Sequence, residues 1–148
     1  MKDKEKIIGF ALSKVTTEKY TVIESNIPAT GKEIGIRMNF HYIAKSTHKM
    51  VSAFSKFTFQ ADVKEFITIE GGCHFNIEPD DWDALLNNNK SKLTVPKDFL
   101  IHITTITVGT TRGILHALTD STNFNRFYLP IINMADIITT DSIFDLNE

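Results

Sequence analysis

A single cysteine, Cys73, rules out an internal disulfide and suits a reducing compartment. Positive charge is in short supply as well. Sixteen Lys and Arg stand against 18 Asp and Glu, so the net charge is −2 and there is no basic footprint for nucleic acid. After Arg126 there is no Lys or Arg at all, while Asp136, Asp141, Asp145 and Glu148 follow. Such an end is either a solvated terminus or an attraction for a basic partner. Long apolar runs are missing. The stretch 7–12 is closed by Ser13 and Lys14, too short for a secretory core or a bilayer span. These absences predict a cytoplasmic protein with no membrane insertion. The 148 residues suffice for one sizeable core and not for two, so 1–148 reads as a single domain.

Motifs of catalysis and metal binding are absent too. There is no G-x-S-x-G, no phosphate-binding P-loop and no dinucleotide fingerprint. The five histidines and Cys73 have no zinc-like spacing. Cys73 and His74 are adjacent and so point to opposite faces of a strand, while His102 and His116 lie about 21 Å apart along a helix. Asp80, Asp81 and Asp83 open like a calcium loop but lack its glycine and distal glutamate; they read better as charges in the first turn of a short helix. Glu70, beside Gly71-Gly72, is a candidate carboxylate that no motif supplies with a partner. The chain is therefore expected to be no enzyme and to need no metal or other cofactor.

What is present is alternation, then a helix. Residues 8–23 read as a strand that bends near Thr16-Thr17, and 26–32, with Pro28 and Gly31, as a loop. Ile34, Ile36, Met38, Phe40 and Tyr42 then alternate with Glu33, Gly35, Arg37, Asn39 and His41, a strand with one apolar face. A third strand covers 51–61, with Val51, Ala53, Phe57 and Phe59 on one side and Phe54 on the other; a fourth covers 65–77. The paired glycines 71 and 72 within it suggest a bulge or a close approach. A short helix at 80–86 and a polar link at 87–94 follow. Strands first and helices later indicate an α+β fold, an antiparallel meander with helices on one face.

From Pro96 onward composition and periodicity disagree. Nine of the eleven residues 101–111 are Ile, Val or Thr, which favour strands. Yet Leu100, Ile103, Thr107, Thr110, Ile114 and Leu118 recur at helical spacing, and Ile101, Val108 and Leu115 form a second stripe. The strand reading stays open on composition, while Pro96 at a first helical position and Asp98 near the positive end of the dipole favour the helix. Apolar groups on several sides predict cover on several sides, some of it from a second copy of the chain. Eleven phenylalanines, the apolar face of the second strand, and the set Leu129, Ile131, Ile132, Met134, Ile137 and Ile138 exceed what one sheet and one helix would hide, which points to binding of apolar partners. That surface suits polypeptide clients or, alternatively, a small-molecule or lipid carrier using the same apolar cavity.

Taken in order, the strand pattern, Gly71-Gly72 followed by Phe75-Asn76-Ile77, the Pro96 helix start, Thr111-Arg112-Gly113 and Leu129-Pro130-Ile131-Ile132-Asn133 make the chain resemble the SecB-like protein-export chaperones. The resemblance implies a four-stranded antiparallel sheet followed by a long helix at a subunit interface and a short C-terminal helix. It also implies assembly as a dimer of dimers, a homotetramer, with the long helices between two sheet layers. Carried over by position, Ile103, Thr107, Gly109, Thr110, Gly113 and Ile114 would form the oligomer helix. Ile34, Ile36 and Met38 with Leu129, Ile132, Met134 and Ile137 would line a groove for unfolded or nascent clients. The activity implied is that of a holdase working without ATP, for export or for a dedicated client such as an antitoxin. Export members carry acidic residues on the sheet surface that dock the motor SecA. Here Ile67 takes the fourth-strand position, Glu65 is displaced, and no clear acidic pair stands around Glu18 and Lys19, which puts SecA docking in doubt.

Overall fold

Alternation in the first half of the chain produces four long strands, β1 (Phe10–Val22), β2 (Gly35–Lys45), β3 (Met50–Ala61) and β4 (Lys64–Ile77), in a computed structural model that describes residues 7–146. All pairings are antiparallel and the order across the sheet is β1-β4-β3-β2. The expected meander therefore holds only for β2, β3 and β4. Asp62 and Val63, both at positive φ, form a two-residue turn that makes β3 and β4 neighbours by necessity. The link 23–34 has no such constraint and is long enough to carry the chain from one edge of the sheet to the other.

One sheet face is apolar and dry. Val51, Ala53, Phe57 and Phe59 of β3 and Ile67, Ile69, Cys73 and Phe75 of β4 are each at most 2% exposed. Ile67 thus faces inward, not the outer surface where the resemblance placed it. Phe54 projects from the opposite face, as its parity predicts. The glycine pair answers to a close approach from each side. A Cβ on Gly71 would collide with the Thr111 hydroxyl of the long helix, and one on Gly72 would come within 2.8 Å of the Phe54 ring and 2.7 Å of Thr16 Oγ1. The register shifts fall elsewhere: on β1 between Leu12 and Lys14 and between Thr17 and Lys19, and on β4 at Phe66, away from the glycines.

The remaining elements are α1 (Pro79–Leu85), β5 (Lys92–Val95), α2 (Lys97–Thr119) and β6 (Ser142–Asp145). In α1 the cap is Glu78, whose carboxylate accepts from the Asp80 and Asp81 amides at 3.0 and 3.2 Å. Periodicity wins over composition in α2 because its threonines hide their hydroxyls. Those of Thr104, Thr107, Thr111 and Thr119 donate to the carbonyl four residues earlier at 2.6–2.8 Å. With that proton committed, the Thr104 and Thr111 oxygens accept from Tyr42 Oη at 2.6 Å and Ser55 Oγ at 2.7 Å, and these two bonds tie the helix to the sheet. Pro96 stands one position outside the helix as its N-cap.

Two expectations fail. The polar link at 87–94 ends in β5, whose Leu93 and Val95 are fully buried. The short C-terminal helix is absent from the described residues: a single 3-10 turn, Met134–Asp136, is followed by β6, which pairs antiparallel with β5. Pro130 forbids a helical ladder around it and holds Leu129 extended, and β5 offers an unpaired edge that β6 completes.

Candidate functional site

The site is the surface where the chain leaves α2 and runs back over the sheet. Residues 127–133 belong to no helix or strand, and two arginines fix them. Arg112, on α2, donates from Nε to the Leu129 carbonyl at 2.9 Å and from Nη2 to the Pro130 carbonyl at 2.6 Å. Arg126 donates to the Pro28 carbonyl at 2.8 Å and lies 4.3 Å over the Phe127 ring, which anchors the edge-crossing link to the same region. Phe127 and Leu129 turn inward, while Tyr128 and Ile131 stand 71% and 96% exposed.

Of the seven residues expected to line a groove, five share one packed cluster. Leu129 and Met134 are buried within it, and Ile34, Ile36 and Ile132 pack against it half-exposed. Met38 and Ile137 lie outside that cluster, about two-fifths exposed. Leu129 and Met134, each 2% exposed, are therefore the floor of the site and not an open wall. Tyr128 and Ile131 are the exposed apolar groups that the positional carry-over missed. For Tyr128 the signal was present in the sequence, since alternation with Phe127 and Leu129 inward leaves 128 outward; Ile131 has the parity of Leu129, and the alternation slips after Pro130.

The six residues assigned to the oligomer helix divide in the same way. Ile103 and Thr107 are wholly buried against the chain's own sheet, so they are not on the free face. Gly109 and Gly113 are on it, together with Thr105 and Ala117, four residues apart along the helix. Thr110 and Ile114 flank this strip, half-exposed. A Cβ at Gly113 would meet nothing within 4 Å.

The other candidates scatter. Cys73 is buried in the core, while His74 is on the outer sheet face between Ser52 Oγ at 2.7 Å and Thr16 Oγ1 at 3.0 Å. Burial first, then the charges of Lys14 and Lys45, hold His74 below the ordinary histidine pKa against the opposing pull of Glu18. Glu70 shares that face, 3.7 Å from His41. Asp81 accepts the Gly9 amide at 2.7 Å. Among the described residues no three His, Cys, Asp or Glu side chains gather as a metal site, and no helix is long and apolar enough to cross a membrane. A concavity of about 600 Å³, lined by Ile8, Phe10, Phe99, Asp98 and His102 among others, sits at the opposite end of α2.

The four-stranded antiparallel sheet with its second strand on the far edge and one long helix across one face resembles the fold of a SecB-like chaperone. Among solved structures, the Mycobacterium tuberculosis Rv1957 SecB-like chaperone in complex with a ChAD peptide from the Rv1956 HigA1 antitoxin matches with a TM-score of 0.51 at 9% identity, over 83% of this chain and 90% of that one. No family profile and no curated relative matches the sequence.

Proposed function

We propose that this protein is an ATP-independent holdase that binds unfolded polypeptide on the apolar surface around 128–137 and β2. The observation that carries the reading is the exposure of Tyr128 and Ile131 on a segment that two arginines hold in place. Large apolar groups left in water on a fixed backbone are costly unless something covers them. Half-exposed Ile34, Ile36 and Ile132 extend the surface, and Met38 adds a pliable contact. The SecB-like fold, and a neighbour in complex with a peptide from an antitoxin, support a polypeptide as the occupant. Clients are unfolded or nascent chains, or one dedicated partner of antitoxin type, met in the cytoplasm. SecA docking is not part of this reading, since Ile67 is inward.

Covering one client Leu or Phe contributes about 1.5–3 kcal/mol, so several such contacts hold a chain without nucleotide. The purified protein, mixed at stoichiometric amounts with an unfolded test polypeptide and no ATP, is expected to suppress light scattering from aggregation. Tyr128→Ser with Ile131→Ser should weaken that protection. No protection and no affinity for the unfolded chain would overturn the reading.

The same proposal includes a dimer of dimers, with the Thr105, Gly109, Gly113 and Ala117 strips of α2 in close approach. Within one chain Gly113 is only a cost to the helix, and Gly113→Ala should relieve it by about 0.5–1 kcal/mol. Gly113→Leu should leave the circular dichroism unchanged and lower the particle mass in light scattering. An unchanged particle would count against this packing.

A further inference from the structure

The outer face of the sheet carries a charge pattern that the holdase reading does not use. Strand register fixes which side chains share it. Lys19 of β1 and Lys56 of β3 both stand opposite Glu70, two strands apart and hence about 10 Å from each other. Lys14 shares a row with His74 and Ser52, and Lys45 lies one row further on at the β2 edge. Arg37 joins them but is taken up by Glu65 at 2.7 Å. Among the described residues none of the four lysines has an ion-pair partner. Five basic groups thus stand against three acidic ones, Glu18, Glu65 and Glu70, on a molecule whose net charge is −2.

The centre of this face is flat and closed. His41 stacks on Phe54 at 4.4 Å with its ring 8° from parallel, and the His74 ring meets Phe54 edge-on at 5.5 Å. Phe54 is only 6% exposed, so no aromatic platform is open for a nucleobase. The interspersed glutamates also disfavour a continuous phosphate chain, whereas a peptide can space its carboxylates between them. The distance of about 10 Å from Lys19 to Lys56 suits about three extended residues.

We propose that the outer sheet face docks an acidic, extended polypeptide segment, held by Lys14, Lys19, Lys45 and Lys56. The test titrates a labelled hexaglutamate peptide into the full chain at low salt and follows fluorescence polarisation, with hexalysine and an oligouridylate of matched charge as alternatives. Hexaglutamate should bind, hexalysine should not, and added salt should weaken the complex. Lys19→Glu with Lys56→Glu should weaken it about tenfold or more, leaving the suppression of test-polypeptide aggregation unchanged. Lys14→Glu with Lys45→Glu, which do not face Glu70, should do the same if the first pair fails to fold. Lys90→Glu with Lys97→Glu alters net charge equally and should have little effect. Equal binding of hexalysine, indifference to the outer-face reversals, or tighter binding of the oligouridylate would each overturn the proposal.

Discussion

Gly71→Val is expected to lower stability by about 3 kcal/mol or more, because it forces a branched side chain into the closest contact between helix and sheet. A Cβ there overlaps the Thr111 hydroxyl, and Thr111 Cβ and Ile114 Cδ1 lie only 3.3 and 3.4 Å away. The obstacle cannot swing aside. The Thr111 hydroxyl is bonded to the Thr107 carbonyl at 2.8 Å and to Ser55 at 2.7 Å, and Thr111 and Ser55 are fully buried. Relief requires lifting α2, which leaves the buried Ser55 hydroxyl short of its partner at about 1–3 kcal/mol. For a chain of this length the thermal midpoint should fall by about 6 °C or more. Gly71→Ala should be milder, and adding Thr111→Ala to it should restore part of the loss by removing the colliding oxygen. Thermal unfolding followed by circular dichroism checks both. A change below about 1 kcal/mol would show that the helix sits further from β4 than this contact requires.

The same contact shows where sequence was a good guide. Period-two alternation in β2 and β3 specified which side chains face inward, because a one-residue error would turn Phe57 and Phe59 into water. The helical period of 100–118 outweighed its β-branched composition, since i−4 hydroxyl bonding makes threonine tolerable inside a helix. Only the rotation was off: Thr104, Val108, Thr111 and Leu115 face the sheet, while Thr110 and Ile114 sit at its margin. Sidedness of a helix apolar in several directions depends on where the sheet is, and the sheet is assembled from residues far along the chain. β5 was legible in principle, as Lys92-Leu93-Thr94-Val95 alternates, but four residues are too few for periodicity to separate from a link. The edge-crossing link could not be read from local pattern at all, because strand order is decided by pairing across the sheet. Position in a family, on which the groove assignment rests, carries no information on burial. Leu129, whose carbonyl the Arg112 clamp holds, and Met134 are both closed into the apolar cluster.

That clamp carries the second large expectation. Arg112→Met keeps the apolar stem and removes both donors to 129 and 130. Residues 128–132 have no backbone ladder of their own, so the guanidinium is their principal polar tie to α2. Hydrogen bonds from a charged group contribute about 1.5–3 kcal/mol each, and the freed carbonyls regain some water, so the net loss should be about 2–4 kcal/mol. It should also be local. Leu129 and Met134 would lose their fixed backbone, and amide exchange across 127–138 should accelerate more than in β3 or β4. If the exposed Tyr128 and Ile131 act as a preformed surface, a loosened segment must be reordered each time a client binds, and protection of the test polypeptide should fall although no client-facing side chain has changed. Arg112→Lys, which keeps the charge but lacks the planar fork, should lie between Met and the native protein in both measurements. Slower exchange at 127–138, or protection that is unaffected while that segment exchanges freely, would separate the clamp from the function and leave the arginine a purely structural part.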